Sequence, residues 1–593
     1  MNELKDCSAK RTSFKMYIRI VTFGCLFMVF VFVQSLMAQD KLDLNRSVVF
    51  TISPGDSKTF VIPLKDGDFF TLSLDLQGGV SLLVLYPDGS VLRRSAASLP
   101  DGKRQFTFPA EGAGSYTLKL SASAEHPAKV EVVLDKVLSL EERLKPERQS
   151  DPYPSPRIQA LRGEIAAGNS TEAFWKEIAA RGTPLVEPFG SDGKYKLVTF
   201  LWRELHETKN VVVLGSFLDP VSVQDLAMQR LGASDVWYLT TKMPTGARFT
   251  YSLSPNDPMT WDPPRAMQRD VTRQVDPLNP RRMLPGSRTC PATASKFACI
   301  NVVELPDAAP QPWTISKPET PRGKVEKGSL KSTIQGIERT FSVYVPANYK
   351  ADGPVNALLV LFDAGTYLPN NPKDWYDPES FQTLTTLNEL IAASKIPPTV
   401  AVFIDNIGNR RVLDQLANPG FADFVATELV PWVRAHYNVT TDPKRSVVGG
   451  YSSSGFAAAF MGLRHSEVFG NVISQSGSFW WAPDHNGGYC GPLCHDLGYL
   501  PEDKMDGTTE VNWLAKQFLA QPKLPVRFDL EAGVFELDRY GGGGDILEPT
   551  RALRDVLLAK GYEVHYQQFV GGHDGLSWRG TLTDALIALI GRP

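Results

Sequence analysis

Residues 445–456, "RSVVGGYSSSGF", constrain this chain more than any other stretch. An apolar β-branched run meets two glycines and three serines. It then passes without a linker into "FAAAFMGLRHS", text built from small, helix-tolerant residues. A strand that turns straight into a helix is the unit of a mostly parallel sheet with helices on both faces. The surrounding grammar agrees. "FSVYVPANY", "ALLVLFDAG" and "TVAVFIDNIG" read as strands, and "ESFQTLTTLNELIAAS" and "FADFVATELVPWVRAHY" read as helices among them. In such sheets chemistry belongs to the loops at the carboxyl ends of strands.

The serine run lies on one of those loops. A strand-to-helix elbow folds back so sharply that the residues at −2 and +2 from its centre must be small. Ser453 has Tyr451 at −2 and Ser454 has Phe456 at +2; only Ser452, between Gly450 and Ser454, passes. A serine hydroxyl needs a base in hydrogen-bond reach. Five of the eight histidines follow Ser452, His485, His495, His565 and His573 among them. His565 in "YEVHYQQFV" reads as a sheet residue. His573 in "GGHDGLSW" lies on a Gly-flanked loop between the last strand and the last helix, where a catalytic base belongs. For the acid, "FDLEAGVFELDRYGGGGD" offers Glu536 just past a strand end, with Asp538 second; Asp545 lies further on, and Glu531 is still on the strand. The run Gly541 to Gly544 lacks the following Lys-Ser/Thr of a phosphate loop. An oxyanion hole needs two backbone N–H groups, one from Ser453 and one from Ala364 or Gly365 in "LFDAGTY".

At 593 residues the chain is long enough for several domains. Residues 39–136 read as an accessory β-sandwich, with turns such as Pro87-Asp88-Gly89 between short alternating runs; the pattern resembles pre-peptidase C-terminal domains. A helical linker is expected over 137–190, including one helix from Arg157 to Arg181. A second β-rich block spans 191–322 and ends in the Pro-rich "ELPDAAPQPWTISKPETPRG"; the α/β block takes 323–593. Lys5, Lys10, Arg11, Lys15 and Arg19 precede the apolar "IVTFGCLFMVFVFVQSLM", which reads as an export signal over 1–38, cleaved after Ala38 or kept as an anchor. The net charge of −3 becomes −6 when the five basic and two acidic residues of that segment leave, an unsuitable balance for nucleic acid. Cys290, Cys299, Cys490 and Cys494 fit two short-loop disulfides in an oxidising compartment, and Cys490, Cys494 and His495 are the rival reading as metal ligands.

At the serine and histidine loops the chain resembles the enterochelin (ferric enterobactin) esterases of the esterase D-like α/β-hydrolases. "VVGGYSSSGFAAAFMGLRHSEVFGNVISQSGSFWW", "FDLEAGVFE" and "FVGGHDGLSWRGTL" carry the likeness, and "VTFLWR", "DVWYLTTKMPTGARFTYSLSPND" and "DPLNP" extend it to the second β block. Ser454 stands where the family has glycine. The resemblance implies an α/β-hydrolase catalytic domain preceded by two β-sandwich domains. It also implies a serine ester hydrolase that opens the lactone of an iron–catecholate siderophore. Iron would arrive with the substrate, with no cofactor of the protein's own, no nucleic-acid or membrane partner beyond the N-terminal segment, and a monomer in the periplasm or outside. A flat, anionic ligand suits Trp480, Trp481, Trp578, Arg410, Arg411 and Arg579. Two other readings stand beside it: an exported esterase for feruloyl or acetyl carbohydrates, and a binding protein without catalysis.

Overall fold

The computed structural model describes residues 40–591 except 66–67, 95–98, 100, 111, 124–125, 140–151, 216–222, 258, 260–271, 285–287, 291–298, 369–380, 409, 484–511 and 538–545. The proposed signal, Cys490, Cys494, His485, His495, Asp538, Asp545 and the four-glycine run lie outside the described residues.

Two β-sandwiches come first. In the first, a five-stranded sheet faces a four-stranded one. The strand Val80–Leu85 alternates buried and half-buried positions, as a sheet with one inward face requires. Its core runs from Leu42 to Leu134, with Phe70, Leu72 and Tyr116 fully enclosed. Before the second sandwich stand two helices, Pro156–Ala166 and Glu172–Arg181, in place of the single helix expected. Gly168 takes a left-handed φ of 88° between them, a conformation that ends a helix rather than continuing it. Their Ile158, Leu161, Phe174 and Ile178 pack on Leu201, Val236 and Tyr238 of the second sandwich. That sandwich pairs a four-stranded with a five-stranded sheet and contains the Cys290–Cys299 disulfide.

The third sheet has eight strands: β1 Lys324–Lys331, β2 Glu338–Val345, β3 Ala357–Leu361, β4 Thr399–Ile404, β5 Ser446–Tyr451, β6 Asn471–Gln475, β7 Arg527–Gly533 and β8 Glu563–Phe569. Their order is β1-β2-β4-β3-β5-β6-β7-β8. The β1–β2 and β2–β4 pairs are antiparallel, and every later pair is parallel. In β3 the five residues are all buried: Leu358 and Val360 join one apolar layer, while Ala357, Leu359 and Leu361 join the layer on the other face. Burial on both faces explains why β3, β4 and β5 read as continuous apolar runs. The molecule is thus an α/β-hydrolase domain preceded by two β-sandwiches, as expected. Among the described residues, no helix is long and apolar enough to cross a membrane.

Candidate active site

The loops after β3, β5, β6, β7 and β8 gather at the carboxyl edge of the parallel strands. Ser452 is the turn between β5 and the helix Ser453–Arg464, and its backbone sits at φ 57°, ψ −125°. A non-glycine residue there is strained by about 1–3 kcal/mol. The surrounding structure imposes it: Ser452 N–H donates to Gln475 O, and Ser452 O accepts from Phe456 and Ser478 N–H. The small-residue rule has a direct cause. A Cβ on Gly450 would lie 2.6 Å from Ser454, and one on Gly455 would lie 2.8 Å from Ser474 Oγ.

His573 and Glu536 meet across the β7 and β8 loops. His573 Nδ1–H donates to Glu536 Oε1 at 2.6 Å, which leaves Nε2 as the free nitrogen of the ring. The other carboxylate oxygen accepts from Ser476 Oγ at 2.8 Å and from Gly533 N–H at 2.6 Å, so Glu536 is fixed from both sides. Trp578 backs the pair. Its indole N–H donates to Ser476 Oγ at 2.8 Å, its ring meets the imidazole edge to face at 4.8 Å, and it stacks on Tyr451, next to Ser452, at 4.6 Å. Burial, then the charge on Asp363, pushes the Tyr451 phenol up to about 12, so it stays protonated.

The remaining carboxyl and imidazole candidates have other places. Glu531 is fully buried on β7 beside Gln475, and burial followed by the charge on Asp529 drives its carboxyl toward the neutral form. His565 is on β8 and pairs with Asp529.

The N–H groups expected to form an oxyanion hole stand at helix starts. Ala364 and Gly365 open the short helix Ala364–Tyr367, and Ser453 opens the elbow helix. Among the described residues these three N–H groups have no hydrogen-bond partner. A Cβ on Gly365 would meet nothing within 4 Å.

The six side chains expected to receive a ligand divide. Trp578 supports the base from beneath and is 4% exposed. Arg579, one residue on, points about 100° away around its helix. It bonds Gln311 Oε1 at 2.8 Å, with Glu304 at 4.0 Å, so it ties the catalytic domain to the second sandwich. Trp481 is 4% exposed and packs on Phe456 and Trp513, in the apolar layer on the other face of the sheet from Trp578. Arg411 gives both fork nitrogens to Asp363 at 2.8 and 2.7 Å, which balances its charge internally. Trp480 is half-buried beside Leu537 and Ile546 of the acid loop, and Arg410 keeps 37% of its side chain exposed while pairing with Asp414 at 3.6 Å. Sequence reading missed Asp363 and Ser476. Both lie inside stretches it singled out, "LFDAGTY" and "SQSGS", and both take positive φ without being glycine.

Comparison with known proteins gives two family matches. Residues 332–589 match the esterase family, and residues 197–314 match the enterochelin esterase N-terminal family. An iron(III) salmochelin esterase from Escherichia coli O6:H1 is 28% identical over 451 residues, covering 73% of this chain and 98% of that protein. An iron(III) enterobactin esterase from the same organism is 29% identical over 415 residues, covering 66% and 90%. The enterobactin esterase of Shigella flexneri, crystallised in the presence of enterobactin, superposes with a TM-score of 0.51 at 25% identity, covering 70% of this chain and 97% of that one.

Proposed function

We infer that this chain, which matches the enterochelin esterase N-terminal family and the broader esterase family, is a serine esterase that hydrolyses the ester bonds of an iron–catecholate siderophore. The observation that carries the reading is the Glu536–His573 pair, joined through the Trp578 ring to Tyr451, the neighbour of a serine in an elbow conformation. In this reading Ser452 Oγ loses its proton to His573 Nε2 and attacks an ester carbonyl. Glu536 holds the Nδ1–H and stabilises the imidazolium. The oxyanion is received by the Ser453 N–H and by Ala364 or Gly365. As the tetrahedral species collapses, the imidazolium protonates the departing alkoxide; water then attacks the acyl-enzyme by the same route in reverse. Iron enters and leaves as part of the substrate. The partial exposure of Trp480 and Arg410 supports them as contacts for a flat, anionic ligand, and the basic and apolar text of residues 1–38 makes export part of the same proposal.

Ser452→Ala should lower turnover of small aryl esters by about 10³-fold or more. Unchanged turnover would overturn the serine-esterase reading in favour of a binding protein. Incubation of the intact protein with iron-loaded enterobactin and with a feruloylated oligosaccharide, followed by chromatography, tests the substrate. Cleavage of the siderophore is expected; cleavage of the oligosaccharide alone would overturn the assignment.

A further inference from the structure

We propose that Asp363 is a positioning residue for ester cleavage, one carboxylate that fastens the two halves of the oxyanion hole to each other, and that Ser454 is a tie to it. The proposal rests on the esterase reading above. Asp363 ends the β3 loop at φ 55°, ψ 51°, directly before Ala364 and Gly365, and is 2% exposed. Five donors converge on it. Arg411 Nε, Asn406 Nδ2 and Gln415 Nε2 reach Oδ1 at 2.8, 2.7 and 2.8 Å; an Arg411 terminal nitrogen and Ser454 Oγ reach Oδ2 at 2.7 and 2.8 Å. Burial alone favours a neutral carboxyl, but the Arg411 fork and the amide donors outweigh it and hold Asp363 below the usual carboxylate range.

The partners come from both sides of the hole. Ser454 is the second residue after the nucleophile; its hydroxyl accepts from Tyr451 N–H at 2.9 Å, and its one proton is shared between Asp363 Oδ2 at 2.8 Å and Tyr451 O at 2.7 Å. The residue that carries the elbow's own donor is tied in as well: Ser453 Oγ donates to Gln415 Oε1 at 2.7 Å, and the amide nitrogen of the same Gln415 donates to Asp363. So the peptide donors after β3 and the peptide donor after Ser452 are referenced to one buried anion. A buried ion pair is weak evidence for stability, whereas holding a fixed geometry is a use that suits it. A glycine at 454 has no hydroxyl and cannot make this tie. Donor placement is where such a tie acts on rate, since a misplacement of about 1 Å can cost about 10²-fold.

The test compares Asp363→Asn, Ser454→Ala and Ser452→Ala in the full chain, with aryl-ester kinetics and binding of a boronic acid that mimics the tetrahedral oxyanion. Asp363→Asn puts an amide donor among five donors and should lower kcat by about 10²-fold, the scale of one oxyanion donor. Ser454→Ala removes a single tie and keeps the fold testable if Asp363→Asn does not fold. It should lower kcat about tenfold with KM within about twofold, and weaken the boronic acid by the same factor as kcat. Full kcat and full boronate affinity in Ser454→Ala would overturn the proposal, as would a loss confined to KM or to thermal stability. Ser452→Ala separates the two readings: if it is inactive while Ser454→Ala is normal, only the positioning role fails, and if it keeps turnover, the esterase reading itself fails.

Discussion

The two β-sandwiches have the same architecture and bury their cores on different terms. The first closes on itself: every residue of its apolar cluster, from Leu42 to Val137, is its own. The second shares its core. Phe535 from the loop that carries Glu536, and Val570 from the loop that carries His573, pack with Phe249, Tyr251 and Leu253, while Leu576 packs with Met283 and Val302. Polar contacts follow the same seam. Arg248 N–H donates to Val570 O at 2.9 Å, and Gln311 Nε2 donates to Leu576 O at 2.9 Å. A side chain at position 571 would run into the Arg248 carbonyl, at 2.9 Å from its Cβ. A domain with a private core is an attachment. One whose core is completed by the loops that carry Glu536 and His573 is built into the proposed site.

The widest contrast comes from cutting the chain. Removal of residues 1–151 should leave aryl-ester kcat/KM within about twofold, since a domain with its own core folds and fails on its own. Removal of residues 1–322 strips the apolar cover from Phe535 and Val570 and should abolish turnover and solubility; comparable activity in the two truncations would erase the distinction. A finer version uses two phenylalanines. Phe70→Ala, in the fully enclosed centre of the first sandwich, should cost about 3–5 kcal/mol of that domain's stability and leave kcat unchanged. Phe535→Ala removes a side chain that is only half-buried, yet it should lower kcat about tenfold, because the next residue is Glu536 and a loop shift of about 1 Å is costly. Thermal unfolding and steady-state kinetics on both variants decide it.

The smallest effect is electrostatic. Burial raises the Glu304 carboxyl, but its bonds to Arg248 and Arg281 outweigh this and leave it below the ordinary carboxylate value. A depressed carboxyl contributes stability that is present above its unfolded pKa, about 4.3, and lost as pH falls through the folded value. Glu304→Gln should therefore lower the melting temperature by about 2 °C near neutral pH, with the difference from the parent closing below about pH 4. A gap that persists in acid would place the effect elsewhere.

How much of this was legible in the sequence depended on how local the cause was. The choice of Ser452 follows from crowding within four residues, and the 2.6 Å approach of Ser454 to a Cβ at Gly450 is that crowding measured. His573 and Glu536 were readable because a loop after a strand has a predictable edge of the sheet to occupy. Asp363 was not recognised as a hub because its partners sit at 406, 411, 415 and 454, and only the β4-β3-β5 strand order brings them together. Side-chain direction was equally hidden: Trp578 and Arg579 are neighbours in the chain and serve different faces of one helix. The expected helix from Arg157 to Arg181 failed at a single glycine whose backbone turned left-handed.

The last helix, Gly575–Ile590, carries Trp578 under the imidazole and follows the histidine loop directly. Synthesis therefore reaches His573 and its support together, and only after Ser452 and Glu536. A chain cut between Glu536 and His573 would display the elbow serine and the carboxylate with nothing to draw the proton away. In the proposed mechanism the order of residues thus acts as a timer, and ester cutting waits on the segment that follows Glu536.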